Sequence, residues 1–132
     1  MIVDTSAIVA VLYDESEGDA FLISMATASS ISLSAGSWIE LAAVLTRSGN
    51  HALHESATRL MDRIGVVIAP VTVEQAEIAR DAYRRYGMGT GHPAKLNFGD
   101  CFAYALAKST GEPLLFNGTD FAQTDVARAL PA

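Results

Sequence analysis

Four acidic residues, Asp4, Glu40, Asp100 and Asp120, stand where an ordinary surface carboxylate is not expected. Asp4 ends the apolar run Met1-Ile2-Val3 and leads through Thr5-Ser6 into Ala7-Ile8-Val9-Ala10-Val11-Leu12. That pattern reads as a short buried strand turning directly into a helix, and ligands of open α/β folds gather at the carboxyl ends of strands. On a helix, Glu40 has Gly36, Ser37, Ala43 and Val44 as its neighbours three and four residues away, so its face is small and mostly apolar. A carboxylate there costs free energy unless something positive meets it. Asp100 opens Cys101-Phe102-Ala103-Tyr104-Ala105-Leu106-Ala107, which carries no charge until Lys108 and reads as a buried helix. The helix dipole favours an acid at that end by about 0.3–1 kcal/mol. Asp120 follows Leu114-Leu115-Phe116 through Asn117-Gly118-Thr119, again just beyond a strand.

Each acid taken alone also has a structural reading. Asp4 or Thr5 could cap the first helix, Glu40 could close a capping box with Ser37, Asp100 could cap its own helix, and Asp120 could serve a turn. Taken together they point to one edge of a sheet. Carboxylates about 4 Å apart repel by roughly 4 kcal/mol per pair at an effective dielectric near 20, so four of them gather only around cations. Oxygen-only ligation suits a hard octahedral ion, Mg²⁺ or Mn²⁺. The chemistry such a site performs is metal-assisted phosphodiester hydrolysis. Other chemistries lack their residues: there is no Gly-x-Ser-x-Gly elbow, Walker A loop, Cys-x-x-Cys pair or Gly-x-Gly-x-x-Gly fingerprint,. His51, His54 and His92 have no zinc-ligand spacing and read as surface residues, and Cys101 reads as packing.

The elements that must position these acids are short and alternate. Ser16 is a candidate cap for a second helix carrying Phe21, Leu22 and Met25, and Ile31-Ser32-Leu33 is a strand. Ser34 or Ser37 caps a helix reaching Arg47. His54 to Ile64 forms another, stopped by Gly65,. Val66-Val67-Ile68 reads as a buried strand, and Thr72 caps a helix from Val73 to Tyr86 whose apolar face is Ala76, Ala79 and Tyr83,. After the glycine-rich stretch 87–93 come a helix to Thr110 and the strand Leu114-Leu115-Phe116. Short apolar strands separated by helices predict a parallel sheet covered on both faces, hence a single three-layer α/β/α domain over residues 1–132.

Composition fits that reading. Of the 132 residues half are hydrophobic and 18% charged, enough to bury a core. The longest apolar runs fall far short of the roughly 20 residues a bilayer span needs. No cationic segment precedes the first apolar run, so no secretory signal is expected, and the lone Cys101 has no internal disulfide partner. A cytoplasmic protein is the expectation. The formal charge of −6 opposes nucleic-acid binding,, but residues 1–46 hold six acids with no Lys or Arg, while residues 82–99 hold Arg84, Arg85 and Lys95 with no acid. The basic stretch could guide RNA or could be plain solvated charge.

With these residues in place the chain resembles the PIN-domain ribonucleases, specifically the VapC-type toxins of bacterial toxin–antitoxin pairs. The resemblance spans essentially the whole chain. It rests on Ile2-Val3-Asp4-Thr5-Ser6-Ala7, on Glu40, on Leu96-Asn97-Phe98-Gly99-Asp100-Cys101, and on Leu114-Leu115-Phe116-Asn117-Gly118-Thr119-Asp120-Phe121 followed by Thr124-Asp125. It implies a Mg²⁺ site made by Asp4, Glu40, Asp100 and Asp120, with Asp4 and Asp100 the firmest ligands and Thr5, Ser6 and Asn117 lining it. It also implies cleavage of structured RNA such as tRNA or rRNA, a homodimer, and a VapB-type antitoxin over the site. Asn117 stands where close relatives often carry Lys, which removes a cation near the site, and Asp125 is an alternative fourth acid. Two other functions share this fold: a non-catalytic binding module, and a nuclease acting on structured DNA.

Overall fold

The computed structural model describes residues 1–130. Four strands form one all-parallel sheet: β1 (Ile2–Val3), β2 (Ser32–Ser34), β3 (Val67–Ala69) and β4 (Leu114–Leu115), in the spatial order β3-β2-β1-β4. Ile2 pairs with Ser32 on one side and Leu114 on the other, so β1 lies at the centre. Helices α1 (Thr5–Leu12), α2 (Gly18–Thr27), α3 (Ala35–Arg47), α4 (Ala52–Ile64), α5 (Val73–Tyr86) and α6 (Asp100–Thr110) fill the connections.

The two residues of β1 face opposite ways and thereby define two cores. Val3 joins Leu33 and Leu115 with Ala7, Phe21, Leu41, Leu45 and Met61, from α1 to α4. Ile2 joins Leu114 and Phe116 with Ala82, Tyr104 and Leu106, from α5 and α6. The three-layer α/β/α architecture follows. Beyond β4, Leu114 donates to the Ala127 carbonyl (2.8 Å) and Ala129 donates to the Leu114 carbonyl (2.9 Å), so the tail extends the sheet edge.

Local chemistry sets the helix boundaries. Of the two candidate caps for α3, Ser34 takes the role, its hydroxyl accepting from the Gly36 amide at 3.2 Å. Thr72 caps α5 through the Gln75 amide, and Gly65 and Gly111 end α4 and α6 in left-handed conformation. The expected burial of α6 is complete along Ala103–Ala107.

Three expectations are corrected. Ser16 does not cap α2; Glu17 precedes that helix and supplies no side-chain bond, because residues 15–18 are held in a backbone turn, with the Gly18 amide donating to the Glu15 carbonyl. The β3 run is not buried: Val67 is 61% and Ile68 43% exposed, since β3 is the outer strand of the sheet with a neighbour on one side only. The inward face of α5 is Gln75, Ile78, Ala82 and Tyr86, and Ala76, Ala79 and Tyr83 look outward. α5 carries two apolar stripes, and spacing alone does not say which one meets the core.

Candidate active site

Asp4 emerges from β1 at the carboxyl edge of the sheet and is 3% exposed. Its Oδ2 accepts from the Ser6 amide (2.9 Å) and from the Ser6 hydroxyl (2.6 Å), which caps α1. Its Oδ1 is buried with no hydrogen-bond partner among the described residues. Asp100 repeats this division of labour. Its Oδ2 accepts from the Asn97 amide at 2.9 Å while its own amide donates to Asn97 Oδ1 at 2.9 Å, a reciprocal cap at the start of α6,. Asp100 Oδ1 makes no hydrogen bond among the described residues. On each side chain one oxygen is committed to a helix start and the other has no hydrogen bond among the described residues.

Glu40 lies on the second turn of α3, and with Ser34 as the cap it is not a capping-box residue. Its carboxylate rests against Gly99, where a Cβ would overlap it. α3 meets α6 one turn earlier, where the Phe102 ring occupies the space that a side chain at position 36 would need. Asp120 is exposed and leads into the short 3-10 turn Phe121–Gln123. The four acids interact: burial first, then the charges of Asp4, Glu40 and Asp120, raise the Asp100 carboxyl to about 7, against the hydrogen bond from Asn97. Burial, with a smaller push from Glu40, raises Asp4 to about 6 against its Ser6 bonds. Among the described residues no three acidic, His or Cys side chains converge tightly enough to enclose an ion unaided. The acids are an open set with like charges spread apart.

The residues around them are tied together. Thr5 Oγ1 donates to the Ser37 carbonyl (3.2 Å), fastening α1 to α3, and the Asn117 amide donates to Ser6 Oγ (3.0 Å). The Asn117 side-chain amide donates to Glu15 Oε2 at 3.0 Å. Glu15 was not anticipated, and no sequence signal connects residues 102 positions apart. Asp125 is engaged elsewhere: it accepts from the Tyr104 hydroxyl (2.6 Å) and from Lys108 (3.2 Å), which hold its carboxyl below the usual range against a desolvation push. Arg85 is likewise occupied, ion-paired with Asp81 (2.9 Å) and donating to the Tyr104 hydroxyl (3.1 Å). Arg84 and Lys95 are exposed and have no ion pair among the described residues. His92 is half-buried, its Nδ1 accepting from the Ala94 amide and its ring edge-on to Tyr86. Burial, with Asp100 beside it, pushes the Cys101 thiol up to about 11, so it is no nucleophile,.

Residues 1–127 match the PIN domain family model. The chain belongs to the PIN-domain family. Within the PIN domains its relatives are VapC ribonucleases: it is 47% identical to Ribonuclease VapC28 of Mycobacterium tuberculosis over 130 residues, covering 98% of each chain. It is 42% identical to Ribonuclease VapC of Mycolicibacterium smegmatis over 127 residues, 96% of this chain and 98% of that one. Two solved structures share the fold. Mycobacterium tuberculosis VapC20, described as a sarcin-ricin loop cleaving toxin, superposes with a TM-score of 0.77 at 18% identity over 98% of both chains. A toxin–antitoxin complex from Klebsiella pneumoniae gives 0.65 at 19% identity, over 92% of this chain and 89% of that one. Among the described residues no helix is long and apolar enough to cross a membrane.

Gly99 offers a direct probe of the Glu40 seat. Its backbone is ordinary helical, so Gly99→Ala is expected to leave stability within about 1 kcal/mol while displacing the Glu40 carboxylate. Divalent-metal affinity by calorimetry should fall about 10- to 100-fold, the scale set by disturbing ligand support. Unchanged affinity would remove Glu40 from the site.

Proposed function

We propose that this chain is a Mg²⁺-dependent endoribonuclease toxin that acts as a single domain, cleaves structured RNA, and is neutralised by a cognate VapB-type antitoxin. The active unit is a homodimer. The observation that carries the reading is the pair Asp4 and Asp100, each with one oxygen bonded at a helix start and the other without a hydrogen-bond partner among the described residues. A buried, unpartnered carboxylate oxygen such as Asp4 Oδ1 is costly,, and an oxygen-only donor set at the carboxyl edge of a parallel sheet fits a hard divalent cation.

In this reading Asp4 and Asp100 hold the metal, and Glu40 and Asp120 complete its surroundings and orient the attacking water. The bound ion supplies a lowered water pKa and charge stabilisation of the leaving oxygen. The remaining work belongs to the protein. Ser6 holds Asp4, Asn97 holds Asp100, Gly99 leaves room for Glu40, and Asn117, held by Ser6 and Glu15, fixes the start of the loop that carries Asp120. Arg84 and Lys95 guide RNA phosphates more readily than Arg85, whose guanidinium is already bound. The sarcin-ricin loop activity described for VapC20 and the naming of the relatives as ribonucleases support an RNA substrate, with tRNA and rRNA the first to test.

Purified protein incubated with tRNA, with rRNA and with a structured DNA is expected to cut RNA in Mg²⁺ and to stop in excess EDTA. Cleavage that persists in EDTA, or a preference for DNA, would overturn the proposal.

A further inference from the structure

A line of hydrogen bonds runs out of the site to an acid on another loop. Ser6 Oγ donates to Asp4 Oδ2 (2.6 Å) and accepts from the Asn117 backbone amide (3.0 Å). The Asn117 side chain then uses both ends: Nδ2 donates to Glu15 Oε2 and Oδ1 accepts from the Gly118 amide, each at 3.0 Å. Reversing that side chain would set its oxygen against a carboxylate and its nitrogen against an N–H, so the two partners fix its sense. Asn117 stands three residues before Asp120.

Glu15 is exposed, but the backbone beneath it is held. Beyond the end of α1, Asp14 turns in left-handed conformation (φ 54°), which a short polar side chain tolerates,. The Glu15 amide donates to the Ala10 carbonyl and the Gly18 amide to the Glu15 carbonyl, both at 2.9 Å. A Cβ at Gly18 would stand 2.8 Å from the Ala10 carbonyl oxygen, so α2 starts in contact with α1. The turn thus presents a carboxylate to Asn117 from a fixed base, and a carboxylate makes a stronger acceptor than a neutral group. Glu15 has no ion pair among the described residues. The charges that act most on Asp100 are those of Asp4, Glu40 and Asp120, not that of Glu15.

We infer that Glu15 is a positioning residue of the hydrolytic site, which holds the loop from Asn117 to Asp120 by accepting the Asn117 side-chain hydrogen bond. The inference rests on the proposed nuclease reading. Asp120 makes no side-chain bond to the turn that follows it, so its placement depends on the loop before it. Without Glu15, Asn117 keeps its backbone bond to Ser6, but its side chain is free to turn and the Gly118 amide loses a fixed acceptor. A group that orients an attacking water loses rate when its placement slackens.

Glu15→Ala is expected to lower kcat for RNA cleavage about tenfold, the lower end of what loss of a supporting partner costs. KM, Mg²⁺ affinity and melting temperature should stay close to those of the parent. Glu15→Gln keeps an acceptor without the charge and should recover most of the lost kcat. Adding Glu15→Ala to Asn117→Ala should cost at most about a further twofold, because both act through one bond. Hydrogen exchange followed by NMR reads the tether without activity: the Gly118 amide should exchange at least about fivefold faster in Glu15→Ala and near the parent rate in Glu15→Gln. Unchanged kcat and exchange in Glu15→Ala, a Glu15→Gln variant as slow as Glu15→Ala, or a loss confined to Mg²⁺ affinity would overturn the inference. A parent that cuts no RNA removes the nuclease reading, and the exchange rates then still decide whether Glu15 sets the Asp120 loop.

Discussion

Asp4→Asn is expected to lose RNA cleavage by at least about a hundredfold, beyond what loss of a supporting partner alone would cause, and to make the metal-free protein more stable. The two effects share one cause. An asparagine can keep the cap, since its carbonyl oxygen can accept both Ser6 bonds as Asp4 Oδ2 does. What it removes is a buried charge. With the Asp4 carboxyl raised to about 6 by burial against about 3.9 in an unfolded chain, ionised Asp4 destabilises the fold at pH 8 by up to about 2–3 kcal/mol. Thermal unfolding in EDTA checks the stability gain and an RNA cleavage assay checks the loss. A variant that loses activity and stability together would mean that Asp4 serves the fold rather than the reaction.

The second large effect is in pH, and metal-free and metal-loaded protein should respond in opposite directions. Asp4 at about 6 and Asp100 at about 7 both lie above the unfolded value near 3.9,. Between about pH 4 and 7 the folded chain therefore binds more protons than the unfolded chain, so unfolding free energy falls as pH rises through that window. That part of the stability is fully present below pH 4 and gone above the folded values. Mg²⁺ requires the deprotonated carboxylates, so protons compete with it: its apparent affinity should drop at least about a hundredfold between pH 8 and pH 5. The stabilisation conferred by Mg²⁺ should accordingly grow over the same range. Calorimetric titrations and melting curves at four or five pH values, each with and without Mg²⁺, measure both. A pH-independent Mg²⁺ affinity would mean that the ion binds elsewhere.

Where each acid of the candidate site stands is largely legible in the sequence because its placement is local. A strand that runs into Asp4, an uncharged helix that begins at Asp100, and a strand followed by Asn117-Gly118 each place an acid relative to its own element. A parallel sheet then collects those ends at one edge. The serine that caps α3 decides the Glu40 question, because a cap at Ser34 puts Glu40 beyond capping reach. What the sequence withholds is long-range. β3 carries the same apolar code as a central strand, and nothing in Val66-Val67-Ile68 tells how many neighbours it has. α5 has two apolar stripes, and the stripe with a buried glutamine is the one that faces inward. Asn117 looks like a lost cation in sequence; in space its amide joins two loops through Glu15.

The contact between Gly36 and Phe102 has a consequence for how such an enzyme could change. Glu40 stands four residues beyond Gly36 on α3, and Asp100 two residues before Phe102 on α6, so the helices that carry these two acids meet where one aromatic ring rests against bare backbone. The span between the two carboxylates is thus gauged by uncharged volume at a point that no ion touches. Trimming the ring would let the two helices approach and filling the glycine would push them apart, without altering any of the four acids. Substitutions at that contact could reset the spacing of the two helices and leave the four acids untouched.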